Sequence, residues 1–294
     1  MAIFFIYFFK YVIIVIIILR GKVMDDLYYI IIDLDGTLLW DFNSIDKETF
    51  DYLRYLKSLG HNISIATGRP QRSSRFVYDE LDLDTPMINY NGALVSNPSN
   101  NQIYVDLRID KNNLFNIYDF IKPHLINLFC EVYDNIYLLN KTEEIIPFLH
   151  LEGSKLFHGN IKEILDINPH SGIFFVEEAY VNVLIDYVNN NFDNTLHARY
   201  WGPGKYHVVE VYNQHVDKGN ALDIILDLYH IPLDHIIAFG DAYNDLGILS
   251  KVGISVGMKN ATNEVLSKVK YITDSNTNQG VLKFLKKFFD NKNY

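Results

Sequence analysis

Tyr28-Tyr29-Ile30-Ile31-Ile32-Asp33-Leu34-Asp35-Gly36-Thr37 is the stretch that decides the fold. Its apolar, β-branched half does not alternate between a dry and a wet face. It therefore reads as a strand buried on both sides, the pattern of a parallel sheet covered by helices. The run stops abruptly at two aspartates separated by one residue, followed by a glycine that permits a sharp turn. In open parallel sheets the loops at the carboxyl ends of strands carry the site, so both carboxylates are placed to face that crevice.

The flanking sequence continues the same rhythm. Phe50, Leu53, Leu56 and Leu59 recur at helical spacing within 46–59, and Gly60 ends that helix. A second strand, Ile63-Ser64-Ile65-Ala66, runs into Thr67-Gly68-Arg69, and Pro86–Tyr90 leads to the hairpin-turn dipeptide Asn91-Gly92. Toward the C-terminus a helix over 219–229 precedes the strand Ile236-Ile237-Ala238-Phe239, which ends at Gly240-Asp241; a strand at 254–256 and a basic amphipathic helix at 281–289 follow. The alternation predicts a doubly wound, mostly parallel, Rossmann-like α/β core. Between 108 and 205 the texture changes to helical stretches such as Leu114–Ile121 and Val181–Val188 among short strands such as Ile136–Leu139 and Gly172–Val176. We therefore expect a core split in sequence, 24–107 and 206–294, with a smaller α/β domain, 108–205, inserted between its halves.

Composition narrows the function. The 294-residue chain is 49% hydrophobic and 21% charged, which excludes disorder and coiled coil. Lysine and arginine number 26 against 36 acidic residues, a formal charge of -10, so a phosphate-backbone binder is disfavoured. The insert is acidic too, with 8 basic against 13 acidic residues, which argues further against nucleic acid. The single cysteine, Cys130, allows no internal disulfide and no thiolate metal cluster; we read it as a buried filler in a reducing, cytoplasmic protein.

Residues 1–23 stand apart. Residues 2–19 are apolar except for Lys10, and Arg20 and Lys22 follow. The length could just span a bilayer, and a membrane partner enters only if this run is a genuine anchor. We favour a translated leader with the native start at Met24, because Arg20-Gly21-Lys22 can be encoded by a stretch resembling a bacterial ribosome-binding site.

The chemistry gathers at strand ends. Gly240-Asp241-Ala242-Tyr243-Asn244-Asp245 is a second acidic cluster after a buried strand. Either cluster alone could be a turn or a helix cap. Bringing Asp33 and Asp241 together makes an oxygen-rich pocket suited to Mg²⁺. Thr67 lies where a hydroxyl and neighbouring N–H groups could hold a phosphoryl oxygen, and Lys218, just before a helix, would neutralise crowded anions.

As an ordered set, Asp33-Leu34-Asp35-Gly36-Thr37, Thr67-Gly68-Arg69, Lys218-Gly219 and Gly240-Asp241-x-x-Asn244-Asp245 resemble the four motifs of the haloacid dehalogenase superfamily of phosphatases. Asn89-Tyr90-Asn91-Gly92-Ala93 and the long insert resemble its Cof-type, sugar-phosphatase-like branch, whose α/β cap falls at this point of the chain. The resemblance implies Asp33 as nucleophile and Asp35 as general acid, then base. It implies Mg²⁺ held by Asp33, the backbone carbonyl of Asp35 and Asp241, with Asp245 supporting directly or through water. Thr67, Gly68, Lys218 and Asn244 would bind the phosphoryl group. Arg69, Asn91, Gly92 and Glu210 are candidates for substrate contact.

The expected activity is Mg²⁺-dependent hydrolysis of a small phosphorylated metabolite, a sugar phosphate first, with pyridoxal phosphate, flavin mononucleotide or a sugar alcohol phosphate as other substrates left open. A phosphosugar mutase is the enzyme alternative; it would need cap cations to rebind a bisphosphate, and Arg199 and Lys205 are the candidates. A non-catalytic, ligand-sensing or membrane-tethered protein is the third reading, supported only by the apolar N-terminal run. Trp201 could stack on a sugar or pack under its turn, and His215 reads as a surface or packing residue.

Overall fold

The computed structural model describes residues 27–41 and 43–290. The leader or anchor reading of 1–23 falls outside these residues. Among the described residues no helix is long and apolar enough to cross a membrane.

The core sheet has five parallel strands. In chain order its members are β1 (Tyr29–Ile32), β2 (Asn62–Ile65), β12 (Ile236–Gly240), β13 (Ile254–Gly257) and β14 (Tyr271–Ile272), arranged β14-β13-β12-β1-β2. All of β1 is buried, and its residues divide between the two faces. Ile30 and Ile32 pack with α1 (Lys47–Ser58), α2 (Gln71–Glu80) and α9 (Gly280–Asp290); Tyr29 and Ile31 pack with α6 (Lys218–Tyr229), α7 (Leu246–Lys251) and α8 (Asn263–Leu266). Each such side chain contributes about 1.5–3 kcal/mol by leaving water. The continuous apolar run is thus explained by helices on both faces. Beside β2, a bridge from Ala66 to Ile88 attaches a small antiparallel sheet of β3 (Met87–Asn89), β4 (Leu94–Asn97) and β5 (Gln102–Asp106).

The second domain is built on a six-stranded sheet ordered β10-β11-β9-β6-β7-β8. Its strands are β6 (Leu125–Val132), β7 (Asn135–Leu138), β8 (Lys155–His158), β9 (Ser171–Val176), β10 (Leu196–Tyr200) and β11 (His207–Asn213), antiparallel except for β7 beside β8. Helices α3 (Lys111–Ile121) and α5 (Val181–Phe192) pack on one face, and the short α4 (Ile161–Ile164) adjoins β7 and β8.

One expectation needs correcting here. Residues 206–213, placed by the sequence reading at the start of the returning core, instead carry β11, an inner strand of this second sheet paired with both β9 and β10. The turn Trp201-Gly202-Pro203-Gly204, just before the expected boundary at 205, is the tip of a hairpin between β10 and β11. The insert therefore extends to about Asn213 rather than ending at 205.

Candidate active site

β1 and β12 are neighbours, while the strand after β1 lies on its far side. Their carboxyl ends form the crevice where an open sheet reverses direction. Asp33 leaves β1 there, its N–H donating to Phe239 O at 3.2 Å, and Asp241 leaves β12 beside it. Gly36 has φ +76° in the loop between them, and a Cβ at this position would lie 2.4 Å from Asp241 Oδ2. The glycine therefore serves both the turn and the close approach of the carboxylate.

Lys218 binds the two halves of the core. Its ammonium, wholly buried, donates to Asp33 Oδ1 and Asp245 Oδ1, each at 2.6 Å. It is placed by the start of α6, where the Asp217 carboxylate accepts from the N–H groups of Gly219 and Asn220. Burial alone would lower the Lys218 pKa, but Asp245 and Asp33 outweigh it, so the net shift is upward and the charge is kept. Burial pushes Asp33 well above the usual carboxylate range, Asp245 adds to this, and Lys218 opposes it. Asp241 is pushed up to about 6 by burial and then by Asp245.

Carboxylate oxygens of Asp33, Asp241 and Asp245 lie within 4.8 Å of one another. Both oxygens of Asp245 are taken: Oδ1 by Lys218, and Oδ2 by the N–H groups of Asp241 and Ala242, at 3.0 Å each. Asp245 thus orients the Asp241 loop, leaving Asp33 and Asp241 as the better donors. Crowded, hard oxygen ligands whose repulsion a cation would relieve fit Mg²⁺.

Asp35 stands away from that group. Arg69 Nε donates to Asp35 Oδ2 at 2.7 Å and Nη2 to Oδ1, while Nη1 donates to Ser73 O at 3.1 Å. This fork fixes a half-exposed carboxylate, 51% accessible, in the wall of a cavity of about 920 Å³. Thr67, at the end of β2, is buried; its Oγ1 accepts from Arg69 N–H at 3.1 Å and its carbonyl from Asn91 N–H at 3.0 Å. Asn244 Nδ2 donates to Asn91 Oδ1 at 2.8 Å, and both line the cavity together with Gly68 and Arg69.

Gly92 is placed elsewhere. At φ +105°, a Cβ there would meet Asp217 O at 2.7 Å, so this residue seats the hairpin against α6 and does not line the cavity. Glu210 does line it, from the second sheet: its Oε2 accepts from Arg199 Nε and Nη2 at 2.9 and 2.6 Å and from Trp201 Nε1 at 2.9 Å. Trp201 is therefore a wall residue. Lys205 lies over the Tyr206 ring at 5.0 Å, and exposed His215 packs beside Gln214 outside the cavity. Cys130 is buried within β6, where burial pushes its thiol far above the ordinary value.

Sequence reasoning missed several groups on the second-domain side. Arg72, from α2, donates to Glu131 Oε1 and to the carbonyls of Tyr133, Leu149 and His150 at 2.8–3.1 Å, fastening the two domains. Glu131 and Ser171 line the same cavity as Asp33, from the second sheet. The available signal was a charge inside an apolar strand: Glu131 interrupts Leu128–Val132 as Glu210 interrupts Val208–Val211.

Fold and site together define a capped α/β hydrolase whose chemistry rests on carboxylates. The family model for haloacid dehalogenase-like hydrolases matches residues 30–285. The 5-amino-6-(5-phospho-D-ribitylamino)uracil phosphatase YitU of Bacillus subtilis is 33% identical over 266 residues, covering 89% of this chain and 97% of that protein. YwtE of the same organism, which carries the same activity name, is 28% identical over 87% of this chain and 96% of its own. A haloacid dehalogenase-like hydrolase from Bacteroides thetaiotaomicron superposes with a TM-score of 0.78 at 19% identity, over 90% of this chain and all of that one. The chain belongs to the haloacid dehalogenase-like hydrolases and is a phosphatase of their Cof-type branch.

Proposed function

We propose that this phosphatase is a Mg²⁺-dependent phosphomonoesterase that releases a sugar or sugar alcohol from a small phosphorylated metabolite through an aspartyl-phosphate on Asp33. The observation that carries this reading is the division of labour between the two aspartates. Asp33 is buried, tied to Lys218 and close to Asp241, whereas Asp35 is held apart by Arg69 on the cavity side.

Asp33 would attack phosphorus, forming an oxygen–phosphorus bond as the ester bond breaks, while Asp35 gives its proton to the departing oxygen. Asp35 would then take a proton from the water whose oxygen attacks phosphorus, returning Asp33 as a free carboxylate and releasing phosphate. Lys218, Thr67 and Asn244 supply donors for the charge that spreads over the phosphoryl oxygens. Asp33, Asp241 and the Asp35 carbonyl would hold Mg²⁺, with Asp245 bracing the loop, and the bound ion would supply charge neutralisation.

Two relatives are named for a substrate whose phosphate sits on a ribityl chain attached to a uracil. A cavity of about 920 Å³ with aromatic walls has room for a chain and a planar ring. Buried Cys130 as the sole cysteine agrees with a reducing, cytoplasmic setting. The test is phosphate release from a panel of phosphorylated sugars, sugar alcohols and cofactors, with Mg²⁺ and with chelator. Metal-dependent release concentrated on sugar and sugar alcohol monophosphates supports the reading; release from none of them contradicts it.

A further inference from the structure

The second-domain wall of the cavity contains a buried hydroxyl that no group among the described residues satisfies. Ser171 is 3% exposed, lines the cavity, and its Oγ has no hydrogen-bond partner among the described residues. A buried hydroxyl left unpaired is costly, so its retention points to a ligand that completes it. Ser171 stands in register with Glu131 on the adjacent strand, and Glu210 lies in register with Ile173, two residues along β9 on the same face. Arg72 engages Oε1 of Glu131 only, and the donors to Glu210 all converge on Oε2. Among the described residues, one oxygen of each carboxylate is thus left without a protein donor.

The cations of this wall are committed. Arg199 is bound to Glu210, Arg72 to Glu131 and Arg69 to Asp35. His150 also lines the cavity, and burial, with Arg69 next, lowers its imidazole below the ordinary value. Among the described residues, this wall therefore offers acceptors and no uncommitted positive charge.

We infer that Glu131, Ser171 and Glu210 form a specificity subsite that takes hydrogen bonds from the hydroxyl or amino hydrogens of an uncharged leaving group and rejects leaving groups carrying a second phosphate. This deepens the proposed function and rests on it. A second phosphate placed here would meet two carboxylates and have to strip a cation from one of them. A polyol chain presents successive hydroxyl donors that match the acceptors without moving any ion pair. The same geometry disfavours the mutase alternative, which must bind a bisphosphate in two orientations.

The experiment compares the wild-type protein with Ser171→Ala and Glu210→Gln on ribitol 5-phosphate, fructose 1,6-bisphosphate and p-nitrophenyl phosphate, reading kcat/KM and Tm in Mg²⁺. The Ser171 hydroxyl makes no hydrogen bond among the described residues, so Ser171→Ala should keep or raise Tm. Its ratio of kcat/KM for ribitol 5-phosphate over p-nitrophenyl phosphate should fall about 3–10-fold, the loss of one neutral hydrogen bond. Glu210→Gln should narrow the wild-type preference for monophosphate over bisphosphate by about tenfold or more. Unchanged ratios in both variants, or a wild-type protein that hydrolyses the bisphosphate as readily as the monophosphate, overturn the subsite while leaving the phosphatase reading intact. Absence of metal-dependent phosphate release from every compound, p-nitrophenyl phosphate included, overturns both.

Discussion

Lys218 and Asp33 lie 185 positions apart in sequence and 2.6 Å apart in the fold. The ion pair closes the core across the inserted domain, and Asp245 completes it from a third segment. A buried ammonium between two carboxylates serves stability and chemistry at once, because each partner's charge is tolerated only in the presence of the others.

Replacing Lys218 by methionine should therefore do two things. It leaves Asp33 and Asp245 buried without their cation, a change of about 3–5 kcal/mol in unfolding free energy measured by urea denaturation without metal. It also removes the donor proposed for the phosphoryl group, which should lower kcat by about 10²–10³-fold. Mg²⁺ should restore part of the stability and little of the rate.

The pH dependence of metal binding follows from Asp241, whose carboxyl is pushed up to about 6 from an ordinary 3.8. Its folded pKa lies above its unfolded one, so the metal-free native state holds the extra proton. That protein loses stability as pH rises through the window from about 4 to about 6. A cation that needs the ionised carboxylate reverses the trend. The Mg²⁺-induced rise in Tm should be small at about pH 5 and clearly larger at about pH 7.5. An increment that does not change with pH would contradict the proposal that Asp241 holds the metal.

In the proposed mechanism Arg69 would position Asp35, whose carboxylate it holds through Nε and Nη2. Arg69→Met should lower kcat more than it raises KM on alkyl phosphates, whose leaving oxygen needs a proton, by about 10–100-fold. The loss should be smaller for release of nitrophenolate from p-nitrophenyl phosphate, whose oxygen departs without one. An equal loss on both substrates would show that Arg69 acts mainly by holding the fold.

The domain clasp can be tested apart from catalysis. Arg72 and Glu131 are both nearly inaccessible, with side chains 2% and 10% exposed. Arg72→Met strands the Glu131 carboxylate and should cost about 3–5 kcal/mol, whereas Arg72→Met combined with Glu131→Leu should recover much of that loss. Denaturation of both variants gives the coupling directly.

Much of this architecture was legible in the sequence because the core strands are continuous apolar runs that end in chemistry. Asp33, Asp35, Thr67, Lys218, Asp241 and Asn244 all lie at strand ends or helix starts, where local pattern and function coincide. Helix α2 was missed because its buried residues are Ser73, Ser74, Val77 and Tyr78, half of them serines, so no apolar stripe marks it. Strand β6 was missed because Glu131 breaks its pattern for the sake of the cavity and the Arg72 pair. The end of the insert was misplaced because a Gly-Pro turn looks the same at a hairpin tip as at a domain exit. Ser171 carries no local signal, since its meaning lies in strands brought together from distant parts of the chain.

The central claim is that Asp33 becomes phosphorylated. The most direct measurement uses Asp35→Asn, which should accept a phosphoryl group from p-nitrophenyl phosphate yet fail to activate the water that removes it. Rapid mixing with Mg²⁺, acid quenching and peptide mass mapping should show one burst equivalent of nitrophenolate and a phosphoryl adduct on the peptide containing Asp33, with none formed once Asp33 is also changed to Asn. Sustained turnover with no adduct on that peptide, together with near-wild-type hydrolysis by Asp33→Asn alone, would contradict the account.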